Sequence, residues 1–298
     1  MIPAVHAAFP PLSLRRVCAI LEISRSGVYE HRQRSAADDA AVVLRDAIER
    51  IVLDFPGYGY RRVTHALRRE GWSITAKRVL RVMREESLLC QLKRRFVITT
   101  DSRHGFPRYP NLLREQTVDG LNQAWVADIT YVRLPTTFVS LATILDACSR
   151  RCVGWELSRQ IDTDLTLVAL ERAIATRAPA PGLIHHSDHG VQYASTRYVE
   201  RLEAIGAQIS MAAVGNPYQN ALAESFFATL KREEVTLHEY QTFTEAETHL
   251  ERFIDDVYNH KRLHSSLGYR PPSEFEAQWN DDERFLEGSH DLTLALVR

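Results

Sequence analysis

Trp125-Val126-Ala127-Asp128-Ile129-Thr130-Tyr131 sets an aspartate in the middle of an alternating apolar run. The alternation from 125 to 134 predicts a β-strand. A carboxylate inside such a strand is expensive unless it is paired or holds a cation. Working outward, residues 138–145 and 152–157 read as two further strands, 162–177 as an amphipathic helix, 182–186 as a short buried strand, 196–205 as a helix and 208–211 as a fifth strand. A long helix is expected over 218–235 and another over 244–259. Three strands in succession, then strands alternating with helices, predict an α/β architecture with a mixed sheet flanked by helices.

Two more acids stand out by context. Asp188 follows the apolar run Leu183-Ile184-His185-His186-Ser187, at a strand end, where open α/β sheets place their sites. Glu224 sits on the long helix; there Leu222, Phe226 and Leu230 form the stripe expected to be buried, while Asn220, Glu224 and Lys231 share another face. Three oxygen-donor side chains with open positions suit a hard octahedral cation, Mg2+ or Mn2+. Two such ions can clamp the attacking and leaving oxygens of an in-line phosphoryl displacement. Lys231, two turns beyond Glu224, is placed to hold a DNA phosphate near them.

The first part of the chain differs in character. Residues 1–115 hold 21 Lys/Arg against 12 Asp/Glu, and residues 116–298 hold 16 against 26, so a net charge of −1 conceals a basic front and an acidic back. Residues 12–34 read as two short helices, the second capped by Ser24, the outline of a helix-turn-helix. Helices at 41–54, 61–70 and 76–86, punctuated by Pro56-Gly57 and Gly71, form a second module. On its last helix Lys77, Arg81 and Arg84 share a face, and Arg78, Arg61 and Arg62 add charge, a pattern suited to duplex DNA. The expected division is a helix-turn-helix at 1–36, a second helical DNA-binding domain at 37–90, a basic linker at 91–120, the α/β core with C-terminal helices at 121–278 and a tail of unassigned role at 279–298.

Length and composition narrow the classes further. At 298 residues, 45% hydrophobic and 25% charged, the chain is an ordinary globular protein of more than one domain. Four scattered cysteines form no disulfide framework, no apolar run reaches the roughly 18–20 residues of a membrane span, and no signal peptide is evident, so a cytoplasmic, nucleoid-associated setting is expected. No G-x-S-x-G elbow or phosphate-binding G-x-x-x-x-G-K-[ST] loop is present. Zinc at His185, His186 and His189 is disfavoured, because no second Cys/His pair stands at suitable spacing.

The motifs together resemble a known family. Asp188 and Glu224 are separated by 35 residues, the spacing of the Asp-Asp-35-Glu signature of retroviral integrases and related bacterial transposases. The blocks Trp125–Tyr131, His186–Tyr193 and Asn216–Phe226 resemble those of the IS-three family of insertion-sequence transposases. Thr99–His104, Pro110–Leu113 and Tyr258–Gly268 with Pro271 resemble its flanking segments. The similarity covers about residues 40–275 and points to the second reading frame, OrfB. It implies an RNase H-like fold, Asp128, Asp188 and Glu224 as catalytic residues and ligands of two Mg2+ ions (or Mn2+), and Lys231 as a basic DNA contact. It also implies cleavage at element ends, strand transfer by the freed 3′-OH, a homo-oligomer on DNA and an upstream partner, OrfA. The family often has Asp at the position of Gln219, and Ser or a basic residue around 212–214. A catalytically silent DNA-binding derivative or repressor is the alternative.

Overall fold

The computed structural model describes residues 13–90, 109–114, 116–212 and 221–280, with the backbone alone in 31–39. It divides into two units, Met1–Cys90 and Gln91–Arg298.

The first unit is helical. Helix α1 is Leu14–Ile20 and α2 is Arg25–Asp54. Ser24 caps α2 as expected, its Oγ accepting the Gly27 N–H at 2.9 Å. The break expected after residue 34 is absent: α2 runs unbroken for 30 residues, so the division at 36/37 falls inside a helix. No glycine or proline occurs from Val28 to Asp54, and the alanine-rich stretch after Ser35 favours helix. Pro56 and Gly57 then turn the chain into α3 (Tyr60–Arg69). Gly71, at φ +90, supplies the left-handed residue that ends it. The Arg68 guanidinium donates to the Ile74 carbonyl at 3.0 and 3.1 Å, bracing the turn into α4 (Ala76–Glu85). Thr75 caps α4, as its sequence position predicts. Leu44, Ile48, Ile51, Val63, Leu67, Val79 and Met83 are among the buried residues of these helices.

The second unit is built on a five-stranded sheet: β1 (Ala124–Arg133), β2 (Phe138–Asp146), β3 (Cys152–Ser158), β4 (Ile184–Ser187) and β5 (Gln208–Met211). The order is β3-β2-β1-β4-β5. The β1–β2 and β2–β3 pairs are antiparallel, and β1–β4 and β4–β5 are parallel, the RNase H-like arrangement of a mixed sheet. Helices α5 (Thr163–Arg177) and α6 (Thr196–Ala204) cover one face, packing Leu170 and Tyr198 with Trp125, Ala127 and Ile144 of the sheet. Gly154 of β3 lets α5 approach closely: a Cβ there would lie 2.3 Å from the Ala169 carbonyl oxygen. The opposite face, with Val126, Leu141 and Leu145, is covered by α7 (Ala221–Leu230), a π-helical turn at Lys231–Val235, α8 (Phe243–Glu251) and a second π-helical stretch at Arg252–Tyr258.

Part of the expected linker belongs to this unit. The Leu112 N–H donates to Ser210 Oγ at 2.9 Å and the Pro110 carbonyl accepts from the Met211 N–H, fastening 109–114 beside β5. A connector free of the core over all of 91–120 is therefore corrected; the segment's apolar residues, Tyr109 and Leu113, pack against the two core clusters. At the other end, residues 272–280 are helical and run through the expected boundary at 278/279. Glu276 on that stretch accepts from Arg151, from Arg177 through two nitrogens and from Ser149. The remaining tail, 281–298, and the motif at 99–104 lie outside the described residues. Among the described residues no helix is long and apolar enough to cross a membrane.

Candidate active site

The register of β1 against β4 brings two of the acids together. Val126 pairs with His186 in the parallel ladder. Asp128 and Asp188 each lie two residues beyond that pair, Asp128 midway along β1 and Asp188 just past the C-terminal end of β4, so the neighbouring strands bring them forward in step and toward the same face. The face is fixed by Val126, which is buried with Ala223, Phe226 and Phe227 of α7. Glu224 stands in the first described turn of α7, exposed, while its neighbours Ala223, Phe226, Phe227 and Leu230 anchor the helix. That stripe is broader than expected: Leu222 is only partly buried, and Ala223 and Phe227 take its share.

Electrostatics reports the convergence. The Asp128 carboxyl is pushed from 3.8 to about 8, first by burial, then by the negative charges of Asp188 and Glu224; the Ile129 N–H and Lys231 act the other way. The Ile129 N–H meets Asp128 Oδ1 at 2.8 Å, and the Gly190 N–H meets Asp188 Oδ1 at 2.9 Å. Lys231, half-buried, has its pKa lowered by desolvation and partly restored by Asp128. Tyr193, whose phenol is raised well above its usual value chiefly by burial, also feels Asp128 and Asp188. Sequence reading gave Tyr193 no role, because an aromatic in the turn between β4 and α6 carries no signal of an acid nearby.

This raised carboxyl has a measurable consequence. Between about pH 4 and 8 the folded state holds a proton on Asp128 that the unfolded chain releases, so stability falls as pH rises through that window. Asp128→Asn is expected to raise the melting temperature of the metal-free protein at pH 8 and to flatten its pH dependence. A melting temperature unchanged at pH 8 would count against the buried, like-charged environment of Asp128.

His185 and His186 serve the scaffold. His185 Nε2 lies 2.9 Å from the Tyr198 hydroxyl, and His186 Nδ1 lies 2.8 Å from Ser210 Oγ. Burial lowers His185 to about 3, which keeps it neutral.

Two family models of an integrase core domain match residues 119–217 and 205–272, and a model of an HTH-like domain matches 38–96. The transposase of insertion sequence IS904 from Lactococcus lactis is 34% identical over 248 residues, covering 83% of this chain and 98% of the relative. The InsF transposase of IS3A from Escherichia coli is 32% identical over 270 residues, covering 89% and 94%. The chain belongs to the IS-three (IS3) family of insertion-sequence transposases. A 31 kDa protein of insertion element IS600 from Shigella sonnei is 34% identical over 273 residues, covering 89% and 98%. Among solved structures, a simian T-cell lymphotropic virus intasome aligns at 16% identity with a TM-score of 0.45, over 73% of this chain and 70% of that one. The HTLV-2 integrase catalytic core domain in complex with magnesium aligns at 14% identity with a TM-score of 0.41, over 52% and 95%.

In the transposase the HTH-like match begins within α2, although no break marks that point. Lys77, Arg78, Arg81 and Arg84 are all exposed on α4 and border one shallow groove with Thr75 and Leu80; Arg81 also faces Glu85 at 4.0 Å. Arg61 is exposed, its guanidinium over the Tyr60 ring, and Arg62 is partly buried over Tyr58. Asn220 lies outside the described residues.

Proposed function

We infer that the transposase cleaves DNA at the ends of its insertion sequence and joins the freed 3′-OH to target DNA at a centre formed by Asp128, Asp188 and Glu224. The observation that carries this reading is the carboxyl of Asp128, raised to about 8 with Asp188 and Glu224 among the causes and Lys231 as the opposing cation. A cluster of oxygen donors whose negative charges oppose one another fits hard divalent cations. Asp128 and Asp188, held by the sheet, and Glu224, held by α7, would ligate two Mg2+ or Mn2+ ions. When bound, such ions neutralise the carboxylates and stabilise charge on the attacking and leaving oxygens. Lys231 would orient a backbone phosphate. In joining, the 3′ oxygen bonds to a target phosphorus and loses its proton, and the displaced 3′ oxygen of the target strand takes one up.

The exposed row Lys77, Arg78, Arg81 and Arg84, with Arg61 and Arg62, is read as the duplex-binding face. The reading extends to an OrfB product acting in the bacterial cytoplasm at the nucleoid, as a homo-oligomer holding two element ends, with OrfA fused to it or beside it. The silent-derivative alternative is weaker, since all three acids and Lys231 are present.

One assay tests this with purified protein and labelled candidate ends. Joined products are expected with Mg2+ or Mn2+ and none with chelator. Arg81→Ala/Arg84→Ala should weaken DNA binding for every sequence and lower the salt slope by about one for each phosphate left without its cation. Joining that proceeds in chelator would sink the metal-dependent reading, and an unchanged salt slope would remove α4 from the DNA interface.

A further inference from the structure

A second cluster of ligating side chains lies on the segment that follows Lys231. Glu234 is in the π-helical turn Lys231–Val235, His238 follows four residues later, and His249 comes from α8. Their ligating atoms all lie within 4.8 Å of one another. His238 Nδ1 is 3.0 Å and His249 Nδ1 is 3.1 Å from the same oxygen, Glu234 Oε1. The Tyr240 hydroxyl donates to that oxygen at 3.2 Å. The two imidazole centroids are 4.6 Å apart.

His238 Nδ1 also lies 3.0 Å from the Glu234 main-chain carbonyl oxygen, while His249 Nδ1 and the Tyr240 hydroxyl meet Glu234 Oε1, so hydrogen bonds hold the three ligating side chains together. A cation in place of the two imidazole protons would use the same atoms. Four-coordinate zinc with bonds of about 2.0–2.1 Å sets neighbouring ligand atoms roughly 3.3 Å apart, within a few tenths of an ångström of the two nitrogen–oxygen distances found. Glu234 is buried, its side chain 7% exposed, whereas those of His238 and His249 are 37% and 32% exposed, so an ion has a way in.

We propose that Glu234, His238 and His249 form a transition-metal site for a zinc-type dication. Two imidazoles and one carboxylate select zinc-like ions over Mg2+, the reverse of the preference of a set made only of carboxylates. The ligands span the connection from the Lys231 turn to α8, so a bound ion staples the end of the helix that carries Glu224. This site was missed in the sequence because its ligands are spaced as Glu-x3-His and then ten residues to the next His, with no Cys/His pair to announce it.

The test uses the full chain, stripped of metal and titrated with Zn2+ and with Co2+ in saturating Mg2+. One equivalent is expected to bind, with Co2+ giving the visible absorption of a four-coordinate nitrogen–oxygen site. Asp188→Asn should bind it equally well. His238→Asn/His249→Asn, changing two partly exposed side chains, should keep the fold by circular dichroism and bind at least about 100-fold more weakly, more than loss of outer-shell partners alone produces. Equal binding by that double variant, or no Zn2+ bound by the wild type, overturns the proposal.

Discussion

Asp188→Asn is expected to abolish joining of element ends to target DNA while leaving DNA affinity nearly unchanged. The substitution keeps the size of the side chain and its hydrogen bond from the Gly190 N–H, but removes a negative charge that the proposed centre needs. Loss on the order of 10^3-fold in rate is expected, equivalent to about 4 kcal/mol of barrier. Removing that charge also relieves Asp128, whose carboxyl should fall from about 8 toward the ordinary range. The metal-free variant should therefore be more stable than wild type at pH 8, a readout that simple misfolding would not give. Joining at the wild-type rate would exclude Asp188 from the chemistry.

The second large effect concerns architecture. The Arg262 guanidinium donates to Glu233 through Nε at 2.7 Å and a second nitrogen at 2.8 Å, and both side chains are nearly fully buried, 3% and 4% exposed. Arg262 and Arg232 hold the Glu233 carboxyl low against a desolvation that would raise it. Arg262→Met should cost about 3–5 kcal/mol, because a buried carboxylate loses its bidentate partner. For a unit of this size that is a fall in melting temperature on the order of 10 °C. Adding Glu233→Gln should recover part of the loss, since it removes the unpaired charge. Additive losses in the double variant would show that the pair is not coupled.

Arg262 also explains what the stretch from Tyr258 to Gly268 does. In the sequence it was legible as a family motif and nothing more. In the fold, the Asn259 side chain bonds both the N–H and the carbonyl of Cys152 on β3, and Arg262 clamps the turn beyond α7. Such roles involve partners more than 25 residues away in the chain and leave no periodic trace. By contrast, every strand was legible, because β1 to β5 bury alternating or continuous apolar runs bounded by turns. The acids were legible for a related reason: Asp128 breaks an apolar strand, and Asp188 and Glu224 stand at set distances from recognisable flanks. Their proximity was legible only through the family resemblance, since it depends on the Val126–His186 register, which no local pattern fixes. The continuity of α2 was missed because 12–34 and 41–54 were read as separate helical segments, although no glycine or proline stands between Val28 and Asp54 to stop the helix.

That 30-residue helix has a bearing on how the chain tolerates change. At 1.5 Å and 100° per residue it is a rod of about 45 Å, and each residue added to its middle swings everything upstream a quarter-turn or more about the axis. A single inserted codon between Val28 and Leu44 would aim α1 in a new azimuth without disturbing the packing of α3 on α4. Gaining or losing seven residues restores the original bearing to within about 20°. Length variants among natural copies of this element should thus be tolerated in whole heptads and rejected otherwise.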